Sequence, residues 1–268
     1  MSELEQEREA ARVATGEQLA ALLYHPSAEV LLALLDNPAL EEASLSLLLA
    51  RKDLPTEILE EIGRRKALLK NYSVKRALVF HPRMPRQHGI RLIRDLYLMD
   101  LVRFSLTPGV PAELKRVAEE QLLARLPQMA LGQKITLARR GPGRVAGALV
   151  AEGHPKVVSI ALNNPYLTES QLLKVLAREK LASSIVLATA GHKKWSSSYN
   201  IRVALVRHSS TPLATVLDFL PHIALPDLRV LASPGIVAGN LQNYLQAEIQ
   251  RRSHTTKIHP EKKKAVSD

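Results

Sequence analysis

One phrase returns along this chain and restricts its fold more than any other feature: an apolar helix end, a polar residue, then proline. It reads Ala33-Leu34-Leu35-Asp36-Asn37-Pro38, then Ala77-Leu78-Val79-Phe80-His81-Pro82, then Phe104-Ser105-Leu106-Thr107-Pro108. Variants end at Pro142, Pro165 and Pro234. Asn, His, Ser or Thr ahead of proline can cap the next helix, and proline itself fits a helix's first turn. The residue before proline is pushed out of the α region, so the preceding helix stops. A second helix-start signal often follows soon after, at Pro85, Pro111, Thr168 and Pro212. Between breaks the apolar spacing is helical, as in Leu92, Ile93, Leu96 and again in Leu172, Leu173, Leu176. Helices this short cannot bury their own apolar faces and must close the core against their neighbours.

The chain also resembles itself. Sliding it by 127 residues lays 73–106 on 200–233 without a gap. Ala77, Leu78, Val79, His81, Pro85, Leu98, Asp100 and Leu101 meet identical residues, where background composition gives about two or three matches by chance. Equivalent residues such as Asp100 and Asp227 therefore read as helix-start residues, because a catalytic group has no reason to be duplicated at one structural point. His25, His81, His154 and His208 all stand near breaks and read as junction residues. No histidine pair has metal-ligand spacing with carboxylates in support, so no metal site is expected.

Composition agrees with helices. Apolar residues make up 46% of the chain, mostly Leu, Ala, Val and Ile, while aromatics make up 4%, and no stretch alternates with period two. The expected fold class is all-α, a solenoid of short helices. The expected layout is a charged N-terminal arm at 1–14, either helical or loose, a repeat body at 15–252 and a disordered basic tail at 253–268 carrying Lys262-Lys263-Lys264. The glycine-rich stretch 127–150 is expected to be a bend. With no cysteine, disulfides, thiolate zinc sites and iron–sulfur clusters are excluded. No signal-peptide pattern and no apolar run of ~20 residues is found, which makes the cytoplasm the expected compartment.

The segments Val74 to Leu92, Leu101 to Leu114, Ile201 to Phe219 and Leu228 to Leu241 resemble the leucine-rich repeat variant family, and HEAT-like helix pairs share much of the pattern. The resemblance covers about 70–250 and implies short helices wound in a right-handed superhelix. Where such repeats follow a cysteine-ligated iron–sulfur domain, this chain has no cysteine to offer. The resemblance therefore implies a shape and no cofactor.

Charge is uneven. Residues 1–62 hold 4 Lys+Arg against 13 Asp+Glu, residues 63–150 hold 18 against 5, and residues 151–268 hold 15 against 8. A basic body suits an anionic partner, though positive charge also simply keeps a repeat protein soluble. Two segments stand out as candidate binding sites. Arg139, Arg140 and Arg144 surround Gly141-Pro142-Gly143, where backbone amides and three arginines could meet a phosphate; the plainer reading is a solvated turn. Lys193, Lys194 and Trp195 place the only tryptophan in a polar, basic loop, suited either to stacking on a base or to tucking a ring against the repeat. Aromatics are scarce and no Asp stands out beside the Trp, so no enzyme activity is expected. The expected role is a scaffold presenting a surface to a protein partner. The alternative is a nucleic-acid-binding repeat, which includes a repair-glycosylase-like enzyme.

Overall fold

The computed structural model describes residues 2–178 and 180–258. Among them every regular element is helical and no strand occurs. The chain divides into two compact units, Met1–Pro127 and Gln128–Asp268. This replaces the expected single body at 15–252.

Unit 1 holds α1 (Glu3–Val13), α2 (Gly16–Leu22), α3 (Ala28–Leu34), α4 (Glu42–Ala50), α5 (Thr56–Arg64), α6 (Tyr72–Val79), α7 (Arg86–Ile93), α8 (Leu98–Leu106) and α9 (Ala112–Arg125). Unit 2 holds α10 (Leu131–Arg140), α11 (Gly143–Glu152), α12 (Pro155–Ala161), α13 (Glu169–Leu176), α14 (Ser183–Ala190), α15 (Lys193–Ser196), α16 (Tyr199–Arg207), α17 (Leu213–Phe219), α18 (Leu225–Leu231) and α19 (Gly239–Ile258). Adding 127 to the start of each unit 1 helix gives the start of a unit 2 helix to within one residue. The short 3₁₀ turn Leu68–Lys70 stands where unit 2 has α15. The match in helix starts at this offset thus runs through both units, far beyond 73–106.

The hydrogen bonds repeat in the same register. Asn37 is buried and its Nδ2 donates to the Ala11 and Ala14 carbonyls at 2.8 Å, while its Oδ1 accepts from Ala39 N. Asn164, also buried, donates to Ala138 and Gly141 and accepts from Tyr166 N. Tyr72 donates its hydroxyl to Asp100 at 2.5 Å and accepts from Tyr97 N; Tyr199 does the same with Asp227 and Ala224 N. Asp100 and Asp227 therefore act as acceptors that tie one helix to a later one, and they are not caps. The polar residue before proline is a turn residue: His25 and His81 accept through Nδ1 from the amide two positions on, and His208 does so before Ser209.

In unit 1, α1 packs on α3 and α3 on α5, while α4 packs on α6 and α8 on α9. In unit 2, α10, α12 and α14 pack in succession, as do α11, α13 and α16. Matching positions are buried alike. Leu78 and Leu205, Val74 and Ile201, and Leu101 and Leu228 are each 0% exposed, and each such side chain contributes about 2 kcal/mol of transfer free energy. Ala77 and Ala204 are half-buried in both units.

Arginines fasten one row to the next by donating to carbonyls at the ends of earlier helices. Arg51 reaches Leu23 and His25, Arg65 reaches Leu35, Arg91 reaches Gly63, Arg125 reaches Leu96, and Arg252 reaches Ile223. The last carbonyls of a helix lack partners within it, so these donors satisfy groups that burial would otherwise leave open.

Residues 1–14 take the helical alternative and not the loose one: α1 buries Ala11, Ala14 is buried beyond its end, and both carbonyls are held by Asn37. Two expectations are corrected. The tail does not start at 253, because α19 runs to Ile258; residues 259–268, with Lys262-Lys263-Lys264, lie outside the described residues. The stretch 127–150 holds the seam between the units and most of two helices.

Candidate binding surfaces

The sequence-predicted residues fall on one edge of unit 2. Arg139 and Arg140 are the last two residues of α10, where cations favourably meet the helix carbonyls, and both are exposed. Arg144 is exposed in the first turn of α11. The intervening turn is no phosphate cradle. Gly141, Pro142 and Gly143 are buried, and a Cβ on Gly143 would stand 2.0 Å from the Tyr166 carbonyl. Glycine is needed there because another turn lies against the backbone.

That neighbouring turn, Asn163 to Tyr166, joins the two predicted clusters. On one side Asn164 bonds to Ala138 and Gly141. On the other, His192 Nε2 lies 3.2 Å from Asn163 Oδ1. Next to His192, Lys193 and Lys194 are exposed on α15. Burial, and then the Lys194 ammonium, hold the His192 imidazole below its ordinary pKa.

For Trp195 the tucked alternative holds, and its place among the binding residues is corrected. It is 3% exposed and its Nε1–H donates to the Leu162 carbonyl at 2.7 Å. The Lys194 ammonium covers its ring at 4.1 Å. The indole is spent on the interior and is withdrawn as a binding residue. The exposed aromatic beside this edge is Tyr166, which composition and local context did not single out. Its signal was its place directly after the Asn164-Pro165 break.

Unit 1 carries a groove that the sequence reading missed. It has a volume of about 580 Å³ and lies between the breaks at Pro82 and Pro108. Val79, Phe80, Phe104 and Leu114 contribute apolar surface, Met84 and Val110 flank it, and Lys52, Arg83 and Arg86 bring cations to it. Phe80 and Phe104 meet edge to face at 5.3 Å, and the Arg103 and Arg76 guanidiniums lie 5.6 and 5.9 Å from the Phe80 ring centre. Arg83 is pinned by donating to the Asp53 carbonyl at 2.8 Å. At the same register unit 2 has Arg207 for Phe80, Ser210 for Arg83 and Leu213 for Arg86, so the basic, aromatic groove belongs to unit 1. Three separate breaks build it, which hides it from any local motif.

No group of three or more His, Asp or Glu side chains placed to hold a metal occurs among the described residues. No described helix is long and apolar enough to cross a membrane. No family model, curated protein or solved structure matches the chain.

Proposed function

We propose that this chain is a non-catalytic helical-repeat scaffold, working in the cytoplasm, that presents a binding surface to a protein partner. The groove of unit 1 carries this reading. It is open and apolar at its base, and arginine and lysine ring it, which suits a partner segment with an apolar anchor and acidic flanks. The successive packing of short helices supports a solenoid of the leucine-rich repeat variant or HEAT-like kind, with the right-handed superhelical path that the resemblance implies. The reading needs no cofactor.

The test is affinity capture from nuclease-treated lysate with the full chain and with a Met84→Glu/Val110→Glu variant. Both side chains are half-buried at the groove, so the variant should keep its helical circular dichroism. A protein retained by the parent and lost by the variant supports the reading. An identical set on both, or nothing on either, overturns it.

A further inference from the structure

The two units treat one surface in opposite ways. In unit 1, Arg8, Arg12, Glu29, Asp36, Glu61 and Arg65 line a hollow of about 440 Å³ over α1, α3 and α5. Its arginines face carboxylates: Arg8 lies 3.3 Å from Glu29, Arg12 lies 3.2 Å from Glu9, and Arg65 lies 2.7 Å from both Asp36 and Glu61.

At register 127 unit 2 has no acid at any of these places. Glu9, Glu29, Asp36, Glu60 and Glu61 become Thr136, Lys156, Asn163, Leu187 and Ala188. The cations are redistributed. Arg12 persists as Arg139 and Arg8 and Arg65 give way to Ile135 and His192, while Val13, Glu29 and Ala67 become Arg140, Lys156 and Lys194. All four of these unit 2 cations are exposed. Helices α10, α12 and α14 pack in order, and the Asn163-Asn164 turn is bonded to the α10 end on one side and to His192 on the other. The cations therefore stand on successive elements, Arg139 and Arg140 ending α10, Lys156 in the first turn of α12 and Lys194 on α15, which packs on α14. They form a track, not a point.

Like charges gathered without carboxylates repel one another, and unit 1 shows that this same framework can neutralise them. The balance reverses when a polyanion supplies the missing charge. We propose that the face of unit 2 carrying Arg139 and Arg140 of α10, Lys156 of α12 and Lys194 of α15 is a docking surface for the phosphodiester backbone of a nucleic acid. A repeating line of phosphates matches a track of cations better than a single acidic side chain does. Two further exchanges favour the same occupant. Asn163 brings a side-chain amide where unit 1 has Asp36, and exposed Tyr166, standing where unit 1 has Ala39, offers a ring to a base. Lys193 adds to the track at the α15 end.

Fluorescence anisotropy with the full chain tests this, using a labelled 20-nucleotide single-stranded RNA and a duplex DNA of equal length. Binding of either probe at 50 mM salt should weaken on the order of a hundredfold by 200 mM, as about five phosphate contacts release counterions. The decisive variant gives unit 2 the acids of unit 1: Lys156→Glu, Asn163→Asp and Ala188→Glu. Unit 1 carries these residues at the same places, so the fold accepts them, and circular dichroism checks it. Affinity should drop at least tenfold. A control with Lys52→Glu and Arg86→Glu in the unit 1 groove should leave it unchanged. Absence of binding by the folded parent at 50 mM salt overturns the proposal, as does equal binding by the acid-restored variant. So does tighter binding to phosphatidylserine vesicles or to an aspartate-rich peptide than to both nucleic acids, because the face would then serve another anion.

Discussion

Unit 1 and unit 2 share helix starts, buried positions and hydrogen bonds at a constant offset of 127, yet they differ in charge. Met1–Pro127 holds 18 Lys+Arg against 18 Asp+Glu, and Gln128–Asp268 holds 19 against 8. The whole net charge of +11 therefore belongs to the second copy. The interior is preserved because packing penalises changes of shape. The surface is released because exposed charge contributes little to stability, so it can diverge toward whatever each unit meets.

The comparison breaks most sharply at Trp195. Its counterpart is Leu68, while the job of capping the equivalent carbonyl, Leu35 O, is done by Arg65. Trp195→Ala should cost about 4 kcal/mol in denaturant unfolding, through a cavity and a lost donor. Trp195→Phe, which keeps most of the volume, should cost about 2 kcal/mol. Equal costs for the two would show that the indole N–H matters more than the packing.

The shared asparagines test the likeness. Asn37→Ala and Asn164→Ala should each lose about 3 kcal/mol, because each leaves two carbonyls and an amide without their partner. A loss in one unit only would break the equivalence.

A smaller effect separates the units by pH. Glu248 accepts from Arg251 and Arg252, and the Arg251 bond does most to bring its carboxyl down to about 2. Its counterpart in unit 1 is Gln121. A depressed carboxylate contributes stability that is present above its unfolded pKa of about 4.3 and lost as pH falls through about 2. Glu248→Gln should thus cost about 1 kcal/mol at neutral pH, with parent and variant converging toward pH 2 in acid unfolding curves.

The tyrosines give a spectroscopic version. Tyr72 is pushed up to about 12, chiefly by burial and then by Asp100, while Tyr199 is raised chiefly by its bond to Asp227. Absorbance titration should show Tyr72→Phe removing the last tyrosinate to appear. A raised pKa contributes stability below about 10, lost as pH climbs through about 12.

The breaks and helices were legible because proline and polar caps act on adjacent residues. The offset of 127 was legible at 73–106 because identities cluster there. It faded upstream, where one role is filled by different chemistry, as at Arg65 and Trp195. Trp195 leaves both readings open in the sequence because its neighbours are polar, whereas the carbonyl its indole meets belongs to Leu162, 33 residues away. Arg139, Arg140, Lys193 and Lys194 were found by charge alone. That they share an edge depends on the Asn163-Asn164 turn, whose part shows only when helices are stacked.

The arginine bonds between rows also bear on how such a chain can change length. Arg125 and Arg252 each cover carbonyls of an earlier helix, and the donor lies 29 residues from the acceptor in both units. Deleting a single helix pair strips the donor from the pair before it and the acceptor from the pair after. Cutting at the 127/128 seam disturbs neither set of bonds, because each copy carries its own donors and acceptors. The transferable module is thus the whole block of 127 residues, and lengthening by block duplication keeps each of these donors with its acceptor.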